Sequence, residues 1–338
     1  MSTKIKRRTL LKGGAALTAM PITWRFAGAQ TPLALRISTG LPNDPKFSAG
    51  RMWFDRFSER MEANAKGQAK LNFFPNNELG QEADVVDQVK LGVTDVMLAA
   101  PSIWANVVPQ LGLLDLGFIF QSFEQQTKAL EGLPSKSFEK MVSEKANVRI
   151  MGWGYNGGSR NYLTKTGFKD PAGLQGKKVR VAPNPTAIET ARLMGAAGAP
   201  IAWGEVYTAL QTGVLDGVEH DSPTLLASKM YENVKHLTLT QHIMSPFCVW
   251  VSQKTLDKIP ANLKDAFADA VSYATVSERT QSRGSEAAAI EQMKANGVIV
   301  EDCDRAAFRE RVKPSWEEFT KQRPETKEIL DAILKAQA

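Results

Sequence analysis

Two arginines stand in this sequence where their charge is hard to leave unanswered. Arg160 follows a Gly-Gly-Ser loop, and Arg180 alternates with valines in Lys178-Val179-Arg180-Val181. An arginine among apolar neighbours at a strand end must find an acceptor, and its planar fork matches a carboxylate at two points. Burying a ligand carboxylate is costly unless such a partner meets it. The pair therefore fits the capture of a small organic acid. The competing reading is that each arginine pairs with an acid of the chain itself, such as Glu219 or Asp216.

Other chemistries find less support. The three histidines, His220, His236 and His242, form no H-E-x-x-H and no close ligand cluster, so no metal is expected. His236 and His242 read as residues of strand ends or surfaces. Neither G-x-S-x-G nor a P-loop occurs, and no spacing singles out a pair of catalytic carboxylates. Gly152-Trp153-Gly154-Tyr155-Asn156-Gly157 does spell G-x-G-x-x-G after a predicted strand. A dinucleotide site needs a helix next, whose free N–H groups meet the phosphates. Here the chain continues as Gly158-Ser159-Arg160-Asn161-Tyr162, a loop and a second strand. No nucleotide, cofactor or catalytic residue is expected, and the chain reads as a binding protein and not an enzyme.

The 338 residues carry a net charge of +6 and a pI of about 9.2, which invites a nucleic-acid reading. Lys4, Lys6, Arg7, Arg8, Lys12 and Arg25 all lie within residues 1–29, which hold no acid; removing these six charges leaves residues 30–338 neutral. A basic face for nucleic acid is thereby excluded. The same segment reads as an export signal: a cationic start, a mild apolar stretch Gly13 to Ile22, and the cleavage pattern Ala27-Gly28-Ala29. Arg7-Arg8 with Leu10, Leu11 and Lys12 resembles a twin-arginine signal, with Lys6 where Ser or Thr is usual. A general secretory signal is the alternative. Either route places a mature chain, beginning near Gln30, in an extracytoplasmic space. No later run of about 18 apolar residues exists to span a membrane. Cys248 and Cys303 are read as structural thiols without a bond between them.

The elements that must position the arginines alternate in the βα manner. Strands are predicted over Leu33–Ser38, Ala69–Phe74, Asp95–Ala99, Val148–Trp153, Arg160–Thr164, Lys178–Val181, Val214–Glu219, Leu237–Thr240 and Phe247–Val251, with helices between them. After Pro260 a helical run extends from Asn262 to about Met293 with a polar centre, Ser277 to Glu286. At about 1.5 Å per residue it reaches nearly 50 Å, longer than one lobe. Repeated βα units imply mostly parallel sheets covered on both faces, with ligands at the carboxyl ends of the strands.

Several blocks carry a family resemblance. Glu205-Val206-Tyr207-Thr208-Ala209-Leu210-Gln211-Thr212-Gly213-Val214-Leu215-Asp216-Gly217 resembles the signature of DctP-type solute-binding proteins of tripartite ATP-independent periplasmic (TRAP) transporters. Glu78-Leu79-Gly80 with Glu82, Gln88 to Gly92 and Asp95, then Leu111 to Phe120, Gly176 to Asn184 and Ser245-Pro246-Phe247, follow in the family's order over roughly residues 33–320. The resemblance implies an α/β, two-lobed periplasmic binding protein fold with a cleft between the lobes and a long lobe-spanning helix. Lobe I is expected over 32–157 plus 246–285, and lobe II over 158–245 plus 286–338.

It also implies roles by position. Arg180 falls on the arginine that bonds the ligand carboxylate, and Arg160 on a second frequent contact. Glu82 and the region of Trp203 line the cleft. Asn156 and Asn184 are further candidates, either of which could simply cap a turn. Tyr155 and Trp203 are cleft aromatics or lobe core. Where relatives follow Asp-Gly with an acid and an Asn that touches ligand, this chain has Val218-Glu219-His220-Asp221. His220 thus takes the Asn position, and Asp221 beside it could orient the ring or accept hydroxyls.

The implied function is capture of a carboxylate ligand by hinge closure and its delivery to TRAP permease subunits of the membrane. The ligand would be a sugar acid or a hydroxy or keto acid, and the carrier a monomer. An exported enzyme and a sensory binding protein are the rivals; turnover would favour the first, and a receptor in place of a permease the second.

Overall fold

A computed structural model describes residues 32–336. The export signal expected over residues 1–29 lies outside them. Among the described residues no helix is long and apolar enough to cross a membrane.

The strands, in chain order, are β1 (Leu33–Ser38), β2 (Ala69–Phe74), β3 (Val96–Ala99), β4 (Val148–Tyr155), β5 (Arg160–Thr164), β6 (Lys178–Val181), β7 (Ala197–Pro200), β8 (Gly217–Asp221), β9 (His236–Ile243), β10 (Pro246–Ser252) and β11 (Ile299–Glu301). They form two sheets, ordered β2-β1-β3-β10-β4 and β11-β9-β5-β8-β6-β7. Mostly parallel sheets were expected, and all strands but one in each sheet do run the same way. The exceptions are β10, antiparallel to β3 and β4, and β5, antiparallel to β8 and β9.

Both reversals have one cause. The chain leaves β4 at its carboxyl end and enters the second sheet directly as β5; it leaves β9 and re-enters the first sheet directly as β10. With only a few residues between sheets, a strand can enter only by the edge facing the sheet it left. That edge holds the carboxyl ends of the other strands, so the incoming strand runs backwards. The G-x-G-x-x-G segment sits at the first crossover, in β4 and its following loop, with a strand and no helix after it.

The long helix spans Ala261–Ala295, 35 residues. Pro260 supplies its fixed entry, and Gly297 at φ +80° takes the chain away past its end. Leu263, Phe267, Ala270, Val271 and Ala274 recur at helical spacing and join Trp53, Phe57, Leu35, Leu98 and Val249 in the core of the first sheet. About four turns further on, Ala289 and Met293 join Leu163, Val218 and Leu237 in the core of the second. One helix is therefore shared by both cores, with a polar stretch between.

The expected partition gave residues 286–338 wholly to the second lobe. The helix Arg305–Val312 does pack on β9 and on the helix Pro185–Met194. The helix Lys327–Lys335 instead packs on the helices Phe123–Leu130 and Leu133–Ala146, beside the first sheet. Its apolar stripe, Ile329, Leu330 and Ile333, is buried there. Cys248 is buried on β10 and Cys303 is half-buried, both as free thiols.

Phe57 concentrates the packing between the helix Ala49–Ala65 and the long helix. Its ring stacks on Trp53 at 4.7 Å and meets Phe267 edge-on at 5.6 Å. Phe57→Ala is expected to lower stability by about 3–5 kcal/mol in urea unfolding, through lost transfer energy and the cavity left behind. A loss below about 1 kcal/mol would mean that the two helices do not depend on this contact.

Candidate ligand-binding cleft

The carboxyl ends of the two sheets face one another across an enclosed space. Its wall takes Leu41 after β1, Glu82 at the start of the helix Glu82–Leu91, and Ala99, Ala100, Ser102 and Ile103 around the end of β3. From the crossover and the second sheet come Asn156, Arg160, Arg180, Ala182, Trp203 and His220. Six of the eight residues expected in the site are thus brought together, from segments spread over more than a hundred positions.

The two arginines are used differently. On β6, Val179 and Val181 pack into the core while Arg180 points the other way, and it is only 2% exposed. Its Nε donates to the carbonyl of Ile201 at 2.9 Å, and its plane lies 5.0 Å over the ring of Trp203. Its two Nη groups have no hydrogen-bond partner among the described residues. Burial lowers its pKa to about 10, with Glu219 and Glu82 partly offsetting this and Arg160 adding to it. It stays charged at neutral pH. Arg160, the first residue of β5, is already paired. Its Nε and Nη2 grip the carboxylate of Glu219 two-fold, Nη2 at 2.7 Å, and Nη2 also reaches the Glu219 carbonyl at 3.1 Å. Only Nη1 remains for anything else. The internal-acid reading holds for Arg160 and fails for Arg180.

Glu219 anchors a buried polar cluster behind the wall. His242 Nε2 stands 3.6 Å from its carboxylate, with Nδ1 bonded to Thr240 Oγ1 at 2.8 Å and the ring stacked on Tyr162 at 4.8 Å. Burial works against Glu219's charge, but Arg160 and His242 outweigh it and hold its pKa far below the usual range. His242 was expected at a strand end or surface; it is near the end of β9 but wholly buried. Asp115, also buried, is pushed up to about 7 by desolvation despite the nearby Arg160.

His220 lies against Trp203 at 4.6 Å, and its Nδ1 sits 2.6 Å from Asp221 Oδ2. The same Nδ1 stands 3.0 Å from the Asp221 backbone N–H, which donates to it, and burial, aided by Arg160, lowers the pKa and favours the neutral ring. Nε2 has no hydrogen-bond partner among the described residues, and it donates or accepts according to the tautomer. Asn156, 4% exposed, makes no side-chain hydrogen bond among them either. Glu82 likewise holds no hydrogen bond; burial raises its pKa, and Arg180 and Arg160 restrain the rise.

Asp221 and Asn184 do not reach the wall. Asp221 caps the helix Ser222–Ala227, its Oδ1 accepting from Thr224 N at 2.9 Å. Asn184 caps the helix Pro185–Met194 through Ala187 N at 2.9 Å and donates to Asp115 at 3.3 Å. Both precede a proline within two residues, a helix-start signal that was present in the sequence. Asp221 does orient His220, as one expectation had it. Ser102 and the Ala99-Ala100 pair went unread; their only signal was their place after a strand's carboxyl end. Among the described residues no cluster of three or more His, Cys, Asp or Glu could hold a metal.

The free space in the cleft is about 30 Å³, room for two or three waters. An organic acid enters only if the lobes part. A larger hollow of about 340 Å³ lies between the helices Pro185–Met194 and Pro314–Gln322, but it brings no buried charge to bear on its contents.

Two expected outcomes follow from the buried cluster. Glu219→Gln strands the Arg160 charge and is expected to cost about 3–5 kcal/mol in urea unfolding; an unchanged midpoint would mean that the pair is not what holds β5 to β8. Asp115 keeps its proton in the folded state up to about 7, whereas the unfolded carboxyl loses it near about 4. Its contribution is therefore complete below the unfolded value and is lost as pH rises through 7. Comparing wild type with Asp115→Asn over pH 4–8, the wild type should lose stability faster as pH rises; parallel curves would contradict this.

The comparisons agree with this geometry. The family model described as bacterial extracellular solute-binding protein, family 7 (DctP) matches residues 42–322. A solute-binding protein of Verminephrobacter eiseniae is 30% identical over 297 residues, 88% of this chain and 87% of that protein. The TRAP periplasmic solute-binding protein of Sulfitobacter sp. NAS-14.1, solved with β-D-galacturonate, superposes with a TM-score of 0.84 at 26% identity, covering 89% of this chain and 99% of its own. That of Polaromonas sp. JS666, bound to D-erythronate, gives 0.84 at 29% identity, with 90% and 99% covered. The chain belongs to the DctP family, the solute-binding proteins of TRAP transporters.

Proposed function

We propose that this protein is the periplasmic carrier of a small sugar acid, which it holds by closing two lobes over it and hands to a TRAP permease in the membrane. The lobes correspond to the two sheets, 32–157 plus 246–285 and 158–245 plus residues from 286 onward, with the helix Lys327–Lys335 returning to the first. The observation that carries the reading is Arg180, a buried guanidinium whose Nη edge meets no acceptor among the described residues.

In the mechanism, the ligand carboxylate takes the Arg180 Nη edge two-fold, while Trp203 and the Ile201 carbonyl hold the fork in plane. Arg160 adds Nη1 from the side. The unpaired groups around them suit hydroxyls: Asn156 can donate and accept, His220 Nε2 donates or accepts with its tautomer, and Glu82 accepts when ionised and donates when protonated. A chain of hydroxyls on the ligand satisfies these groups together, which a plain fatty or aromatic acid cannot do. Closure follows from tighter binding to the closed form. Relatives solved with galacturonate, glucuronate, galactonate and erythronate support this ligand class. No step changes a covalent bond, and a monomer suffices.

The test is a thermal-shift and calorimetric screen of the chain from Gln30 with aldonates, uronates and short hydroxy and keto acids, beside their amides or esters. At 100 times Kd an acid should stabilise by about 2.7 kcal/mol, and its amide should not. Arg180→Ala should weaken that acid at least about thirtyfold, since truncating one partner of a buried charge pair costs about 2–5 kcal/mol. Undiminished affinity in Arg180→Ala would end the carboxylate-clamp reading.

A further inference from the structure

Among the described residues Glu82 is the only acid that lines the cleft. It opens the helix Glu82–Leu91, where an acid commonly serves as part of the cap, but that duty falls to a neighbour. Asp84 Oδ2 accepts from the Gln81 N–H at 3.1 Å and closes the capping box. Gly40, after β1, keeps space for the Glu82 side chain: a β-carbon there would come within 3.0 Å of its Cγ and Oε1. The carboxyl is thus directed to the enclosed space and spared for it. From the second sheet Arg180 and Arg160 act on it through space, restraining the rise in its pKa that burial causes, and neither bonds to it.

Charge balance then decides what the cleft admits. Glu219 answers Arg160, which leaves Arg180 and Glu82 as the charges of the wall without an ion-pair partner. One ligand carboxylate on the Arg180 Nη edge neutralises the cation, and the charge that remains is negative. A second carboxylate on the same ligand would find no cation of its own, since among the described residues the wall holds no lysine and no third arginine. It would also share about 30 Å³ of free space with Glu82. Like charges in so dry a space repel strongly, and two carboxylates have no proton to place between them. A hydroxyl at the same place donates to Glu82 instead. Its neighbours Asn156, Ser102 and His220 also suit hydroxyls and bring no positive charge when His220 is neutral.

We propose that Glu82 is a specificity-determining residue of the cleft: it admits acids that carry a single carboxylate and several hydroxyls, and it rejects their diacid counterparts. The proposal rests on the reading that the cleft binds an acid on Arg180. It narrows that ligand class to aldonates, uronates and short hydroxy acids, without aldarates or other dicarboxylates.

Calorimetric titration of the protein at pH 8 with matched pairs tests this: D-glycerate against tartronate, D-erythronate against meso-tartrate, and D-galactonate against galactarate. Within each pair a terminal CH2OH is replaced by a second carboxylate. Any monoacid that binds should bind at least about thirtyfold more tightly than its diacid, as juxtaposed like charges require. Glu82→Gln keeps the size and removes the charge, and it should narrow that ratio by about tenfold or more, whatever it does to the monoacid itself. Glu82→Ala should narrow it as well, and Glu82→Asp should preserve it. The ratio is taken within one variant, so a general loss of affinity or stability does not move it. Diacids held as tightly as monoacids by the wild type, or a ratio unchanged in both the glutamine and alanine variants, overturn the proposal and leave the sugar-acid reading standing. If none of these acids binds the wild type, the sugar-acid reading falls and this one falls with it.

Discussion

A guanidinium taken out of water must be met by negative charge, and the second sheet withholds that charge from Arg180. The nearest internal candidate, Glu219, is committed to Arg160 and His242. Asp115, also buried, is shifted to about 7 and so is only partly ionised at neutral pH. Glu82 attracts Arg180 from across the cleft, but its carboxyl makes no hydrogen bond among the described residues. The fold keeps Arg180 charged, planar on Trp203 and open on one edge. Burying it this way costs stability that a fully paired arginine would not, and the cost is offset when an acid arrives from outside.

That arrangement depends on both sheets presenting carboxyl ends to one space. In an open α/β sheet those ends are where loops diverge and side chains can converge on a ligand. Here two sheets share the edge, and the chain crosses it twice with no room to turn round. The single reversed strand in each sheet is the consequence. It also sets Arg160 at the first position of β5, at the cleft, with Glu219 diagonally opposite on β8. The crossover that makes binding by closure possible therefore also delivers one of the two arginines.

The long helix serves two separate cores. Apolar residues at each end belong to different sheets, whereas the middle carries Glu278, Ser282 and Ser285 buried against backbone. The polar centre answers the backbone of the crossover: Glu278 accepts from the Tyr155 N–H and Ser285 donates to the Gly157 carbonyl. The glycines of the crossover are the steric counterpart of those polar side chains, since a β-carbon at Gly154 would collide with the Glu278 carboxylate.

Much of this was legible from local pattern alone. β1, β2, β5 and β6 begin and end where alternation and turn residues put them, and the long helix overran its predicted limits by only a residue or two at each end. The net neutrality of residues 30–338, the missing helix after the glycine motif and the two arginines at strand positions were also local facts, as were the family blocks. Tertiary structure alone decided which arginine is free. Arg160 and Glu219 are 59 positions apart, and only the register of β5 on β8 brings them together. The same holds for the burial of His242, the reversed strands, the return of the last helix to the first sheet and the reach of the glycine run to a helix more than a hundred residues away. Asp221 and Asn184 fall between: their capping role was written in the prolines that follow, but polar residues near a site invite the functional reading first. Local sequence specifies elements because their hydrogen bonds are short-range. Charge pairing is settled by whichever groups the assembled sheets place within reach, and no spacing in the chain encodes that.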